Sequence, residues 1–250
     1  MSDRMQTVRL HGPRDVRVES AEAPAASTGD QVRLRMRSVG ICGSDLHHYR
    51  EGSTGDNAPD SPLVLGHEIA AEVPPETADT LGLAPSTLVA VDPAHPCGVC
   101  EWCEHGHPNL CPHVEFKGVE AHRGGLAEYL TAHPDEIIPV PDEFDADTAA
   151  LLEPLGVAIH ALDLAELRSM DTVAVLGGGR SDFCARRWRR RRGPARAMSS
   201  IPSNTGLKWP PILGPMQSPC TRPLSTSGPA GEARMSSLKR QTIRQASRTP

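Results

Sequence analysis

Val39-Gly40-Ile41-Cys42-Gly43-Ser44-Asp45-Leu46-His47-His48-Tyr49 places a thiol, a hydroxyl and an imidazole within a few residues of one another. Upstream, Val32, Leu34 and Met36 alternate with Arg33, Arg35 and Arg37, the period-two pattern of a half-buried strand with its arginines on a solvated face. The strand therefore delivers the chain to Cys42. Downstream, Gly66-His67-Glu68 offers an imidazole and a carboxylate. Zinc takes Cys sulfur, His nitrogen and carboxylate oxygen, and a catalytic ion keeps its fourth position open. Cys42, His67 and Glu68 are thus the candidate ligands of a catalytic zinc, with the alternative that Glu68 orients the other two.

The pattern on either side is one of many short strands. Thr7–Leu10 and Asp15–Glu19 alternate around His11-Gly12-Pro13-Arg14, which reads as a hairpin. Further strands are expected at 63–65, 69–73, 88–91, 126–130 and 136–140, with Gly and Pro between them. That series argues a β-barrel or sandwich. A helix is expected from about Asp147, broken at Glu153-Pro154 and resuming with Pro154 as its first residue, where the missing N–H is harmless. Asp171–Leu176 reads as another strand, ending at Gly177-Gly178-Gly179.

Cys97, Cys100, Cys103 and Cys111 have the spacing C-x2-C-x2-C-x7-C. Four thiolates wrapped by one loop make a closed, structural zinc site. An iron–sulfur cluster is the rival, but its motif brings the fourth cysteine sooner. His95, His105, His107 and His113 are read as surface residues, because four thiolates already fill the site.

Composition sets further bounds. Aromatic residues are 3% of the chain, so the core must be aliphatic. No apolar run is long enough to span a bilayer, and the N-terminal residues lack the apolar segment of a signal peptide. A reducing cytoplasm is expected, with the seven cysteines as ligands before disulfides. The charge is unevenly spread. Residues 1–179 hold 11 Lys and Arg against 29 Asp and Glu, net −18, whereas residues 180–250 hold 15 against 2, net +13. That tail carries nine prolines and ten serines, with Leu, Ile, Val and Phe at only eight of 71 positions. Such a composition cannot offset the entropy of ordering, and disorder is expected.

Taken in order, Cys42, Gly66-His67-Glu68, the four-cysteine lobe and the strand ending in glycines resemble the zinc-dependent medium-chain alcohol dehydrogenase family. Gly40–His47 and Glu153-Pro154-Leu155-Gly156-Val157-Ala158-Ile159-His160 are similar to its polyol branch, and Tyr49 followed by Glu51-Gly52 is similar to L-idonate 5-dehydrogenases. The resemblance implies a mainly β, GroES-like barrel as catalytic domain over 1–169. The start of a Rossmann domain would follow at 170–182, an α/β remnant, and then the disordered basic tail at 183–250. It implies two zinc ions per chain, NAD or NADP, a small polyol or sugar-acid substrate, and a homo-oligomer. Ser44 would accept the substrate proton and His47 would carry it to solvent, with Asp45 orienting the ligands. Glu153 would hold the zinc-bound water or substrate, and Tyr49 would line the pocket. Read alone, Ser44 is a helix cap and His47 a surface residue.

Three stretches depart from the family, one of them Ser86-Thr87-Leu88, which stands where the family usually has Gly-Asp-Arg. Glu72–Asp79 lacks the expected Val/Gly alternation, so an altered surface loop is expected there. The dinucleotide pattern G-x-G-x-x-G is met at Gly177 and Gly179, but Asp182 stands at its third place. A carboxylate there would face the pyrophosphate and obstruct helix–strand packing. The expectation is a polyol dehydrogenase truncated or frameshifted in its nucleotide-binding part and inactive as written. The alternative is a non-enzymatic zinc module whose basic tail binds a polyanion. The −18 of the folded part opposes it.

Overall fold

A computed structural model describes residues 4–52, 62–119, 123–166, 173–176, 181, 184–185 and 197–200. The chain forms two compact units, Met1–Pro154 and Leu155–Pro250.

The first unit is the expected mainly β structure. β1 (Arg4–Gly12) and β2 (Asp15–Glu22) form the hairpin, with Val8 opposite Val18. β1 also pairs with β5 (Leu63–Val64), giving the order β2-β1-β5. The larger sheet combines β4 (Gln31–Gly40), β6 (Glu68–Glu72), β7 (Leu88–Val91), β10 (Tyr129–Ala132) and β11 (Ile137–Pro139) in the order β10-β4-β6-β7-β11. β3 (Ser27–Thr28) folds back on β4. All these pairings are antiparallel.

Strand alternation places Val32 and Leu34 of β4 beside Ile69 and Ala71 of β6, Val89 and Val91 of β7, and Leu130 of β10. Removing side chains such as Leu34 and Ile69 from water contributes about 2 kcal/mol each. The opposite face of the sheet carries Ala70 and Ala90, on which Ala149 and Ala150 of α4 (Ala146–Ala150) pack. Small residues on both sides let the helix approach the strands closely. Asp145 caps α4 by accepting the Thr148 N–H at 2.7 Å.

The register of β4 on β6 slips between Met36 and Ser38. One extra residue at this bulge re-aims the end of β4, a common device beside functional sites. Gly40 consequently stands opposite Glu68.

Two local expectations need correction. Residues 75–81 form a helix, α2 (Pro75–Leu81), where a surface loop was expected. Pro75 begins it without losing a needed N–H, and Thr77 and Ala78 are buried. The helical break lies at Leu151 rather than at Glu153-Pro154, since α5 runs Leu152–Leu164. Pro154 is its third residue, within the first turn, where backbone N–H groups have no intrahelical acceptor. Ala197–Ser200 forms β13, parallel to β12 (Val173–Leu176). Gly177, Gly179, Asp182 and most of the tail lie outside the described residues.

Candidate metal and catalytic site

Cys42 is the N-cap of α1 (Gly43–Glu51), with extended backbone at φ −80° and ψ 163°. Asp45, three residues on, turns back so that its Oδ2 accepts the Cys42 N–H at 2.8 Å. Its Oδ1 accepts the Gly66 N–H at 3.2 Å and lies 3.8 Å from His67 Nδ1. One buried carboxylate therefore holds the chain at Cys42 and the turn at Gly66 together. Gly66 sits at φ +97°, a conformation that L side chains rarely adopt, and it turns the chain so that His67 points inward.

Cys42 and His67 meet. Burial pushes the Cys42 thiol up, but hydrogen bonds from His67 and Ser44 outweigh it and leave it below its ordinary value. Burial likewise opposes charge on His67, yet the bond to Cys42 and the charges of Asp45, Cys42 and Glu153 raise the ring to about 9. Each group thus favours the charged form of the other. His67 is 6% exposed, and its Nδ1 is buried without a hydrogen-bond partner. A sulfur and a nitrogen in contact, one beside an unsatisfied buried atom, fit a zinc ion.

Glu68 is buried on β6 and lies over Gly40, where an added Cβ would stand 1.8 Å from Oε2. Glu153, at the start of α5, is close enough to stabilise charged His67. Among the described residues, Cys42, His67 and Glu68 are not among the groups that bring three ligand atoms within 4.8 Å of one another.

Cys97, Cys100, Cys103 and Cys111 are such a group. Cys100 lies 3.4 Å from Cys103 and 3.8 Å from Cys111, and Cys111 lies 3.5 Å from Cys97, sulfur to sulfur. A tetrahedron of thiolates at zinc's bond length spaces its sulfurs by roughly 3.8 Å, so these residues fit the ion. Cys100 caps the short helix α3 (Glu101–Glu104), which carries Cys103. Backbone N–H donation, chiefly from Val99, lowers the Cys97 thiol to about 6, while desolvation raises Cys103 to about 12.

The other expected residues are placed less uniformly. Ser44 contacts the Cys42 sulfur. The side chain of His47 is 43% exposed, with Nδ1 3.5 Å from Glu51. Its neighbour His48 is the buried histidine; its Nδ1 lies 3.1 Å from the Ser44 carbonyl, and burial pushes its pKa down. Sequence reasoning missed it, although it lies one turn after Ser44 and Asp45. Tyr49 packs against Leu10, Leu63 and Leu65. Cys-lobe histidines His105, His107 and His113 are exposed, as expected. His95 is not a plain surface residue: it stacks on His133 and its Nδ1 is buried.

The described fold is thus a curled antiparallel sheet with a Cys–His contact beyond one bulged strand end and a separate four-thiol lobe. Residues 28–142 match the alcohol dehydrogenase GroES-like domain. The chain is 35% identical to sorbitol dehydrogenase of Bacillus subtilis over 175 residues, covering 70% of this chain and 49% of that protein. It is 36% identical to sorbitol dehydrogenase of Mus musculus, over 68% of this chain and 47% of that one. Among solved structures, L-idonate 5-dehydrogenase from Escherichia coli superposes with a TM-score of 0.70 at 29% identity, covering 82% of this chain and 59% of that one. A zinc-binding dehydrogenase structure from Sinorhizobium meliloti, bound to NADP, gives 0.71 at 29% identity, over 81% and 58% of the two chains. The chain therefore carries the alcohol dehydrogenase GroES-like domain and is similar, over that part, to zinc-dependent dehydrogenases of polyols and sugar acids. It spans about half the length of the curated relatives it matches. Among the described residues, no helix is long and apolar enough to cross a membrane.

Proposed function

We propose that this chain carries the zinc-binding half of a polyol or sugar-acid dehydrogenase, which oxidises a secondary alcohol to a ketone with hydride passing to NAD or NADP. The observation that carries this reading is the contact between half-buried Cys42 and buried His67, held by Asp45. Cys42 and His67, with Glu68 as third ligand, would hold the catalytic zinc, and the four-cysteine lobe a structural one. Bound there, zinc supplies a Lewis acid that lowers the pKa of an alcohol. Ser44 would take the substrate's hydroxyl proton while giving up its own, and His47, on the exposed face of α1, would pass that proton to water. Asp45 keeps thiol and imidazole in register. Tyr49 lines the polyol pocket and Glu153 holds the water or substrate there. The free thiols gathered into ligand sets suit a reducing cytoplasm.

Visible spectroscopy of the cobalt-loaded chain tests the reading. Sorbitol or L-idonate is expected to change the bands of the Cys42–His67 site, and H67A to lose that response. A spectrum indifferent to every polyol tried would defeat the proposal. NADH formation is expected to stay at background, because Asp182 occupies the third glycine place. The reading as a polyanion-binding module is not favoured, since residues 1–179 carry net −18.

A further inference from the structure

His95 and His133 stack face to face, with centroids 3.7 Å apart and planes within 10°. His95 ends β8 (Ala94–His95), which pairs with β9 (Glu115–Phe116) at the foot of the cysteine lobe. His133 precedes the 3-10 turn Pro134–Glu136, which leads into β11. One ligand atom each from His95, His133 and Asp135 lies within 4.8 Å of the others.

The polar surroundings are only partly satisfied. His95 Nδ1 is buried without a hydrogen-bond partner, 3.9 Å from Asp135 Oδ1 and 3.5 Å from Glu136 Oε1. Glu136 is already committed: Oε1 accepts from Lys117 Nζ at 2.6 Å and Oε2 from the His133 N–H at 2.7 Å. Asp135 is 71% exposed along its side chain and can swing inward. The ring nitrogens of His133 face Asp30 at 3.3 Å and the Gln31 amide at 2.8 Å, so one of these contacts gives way to a ligand.

We propose that His95, His133 and Asp135 form a third cation site, distinct from the thiolate sites, that takes a borderline divalent ion such as zinc, cobalt or nickel. Two imidazoles and a carboxylate suit those ions, whereas magnesium and calcium want oxygen alone. Stacked rings hold their in-plane lone pairs side by side, so His95 tilts out of the stack to bind. The orphaned nitrogen then gains a partner. An ion here ties the foot of the cysteine lobe to the turn before β11.

Equilibrium dialysis of the full chain, stripped and reloaded with cobalt, tests this independently of any activity. The unchanged chain is expected to hold one more cobalt ion than H95A. Since even an outer-sphere partner is worth roughly ten-fold in metal affinity, D135N is expected to bind that ion at least about ten-fold more weakly. Thiolate-to-cobalt absorbance from the four cysteines should be equal in all three and so reports an intact lobe. If H95A loses that absorbance, D135N decides alone, because its site is exposed. Equal counts and affinities in all the folded chains, the result for an adventitious surface ion only, would overturn the proposal.

Discussion

The Phe116 ring packs against the His67 imidazole, centroids 5.6 Å apart and planes inclined by 58°. Phe116 belongs to β9, so the hairpin at the foot of the cysteine lobe covers the buried imidazole of the candidate catalytic site. F116A should expose His67 and cost about 2 kcal/mol, below the range for a fully buried Phe. Denaturant unfolding reads the loss. Faster modification of His67 by diethyl pyrocarbonate reads the exposure, and unchanged reactivity would mean that the ring does not shield it.

Gly40 leaves room for Glu68. G40A would bring a methyl group 1.8 Å from Oε2, so carboxylate and strand must shift, a change expected to cost about 1–3 kcal/mol. G12A is the control, since an added Cβ there meets nothing within 4 Å. Only G40A should lower the unfolding midpoint and the affinity for the catalytic ion.

The metal-free Cys42–His67 pair makes stability depend on pH. The folded value of His67, about 9, lies above its ordinary 6.5. Its contribution is therefore complete below about 6.5 and is lost as pH rises through about 9. Cys42 is lowered from 9.0, so its contribution is present above 9.0 and is lost as pH falls through the depressed value. NMR titration of the metal-free chain should find His67 titrating near 9, and C42S should return it towards 6.5. Metal loading should release the imidazole proton and weaken as pH falls.

Thiol reactivity in the metal-free lobe should be uneven. Cys97, held at about 6, is largely thiolate at neutral pH, whereas Cys103, at about 12, stays protonated. Iodoacetamide mapping should label Cys97 well before Cys103, and zinc should protect both. Equal labelling without metal would contradict the asymmetry.

The parts legible in the sequence were those with local causes. Alternation found β4 and the β1–β2 hairpin, and short cysteine spacing found the lobe. What stayed hidden depends on distant partners. α2 has no apolar stripe to announce it; it is held where Thr77 donates to the Arg33 carbonyl at 3.2 Å, 44 residues away in sequence. His95 read as one more histidine near cysteines because its stacking partner, His133, lies on a different strand connection. Arg33 read as solvated, yet it lies 4.8 Å over the Tyr129 ring. The bond from Gly66 to Asp45 spans 21 positions and leaves no periodic trace.

That last bond has an evolutionary consequence. Since a single carboxylate clips the start of α1 to the turn at Gly66, the separation of sulfur from imidazole does not depend on how many residues connect them. Insertions or deletions in the sequence between Gly52 and Pro62 are therefore free to accumulate over descent while the spacing of thiol and imidazole stays constant.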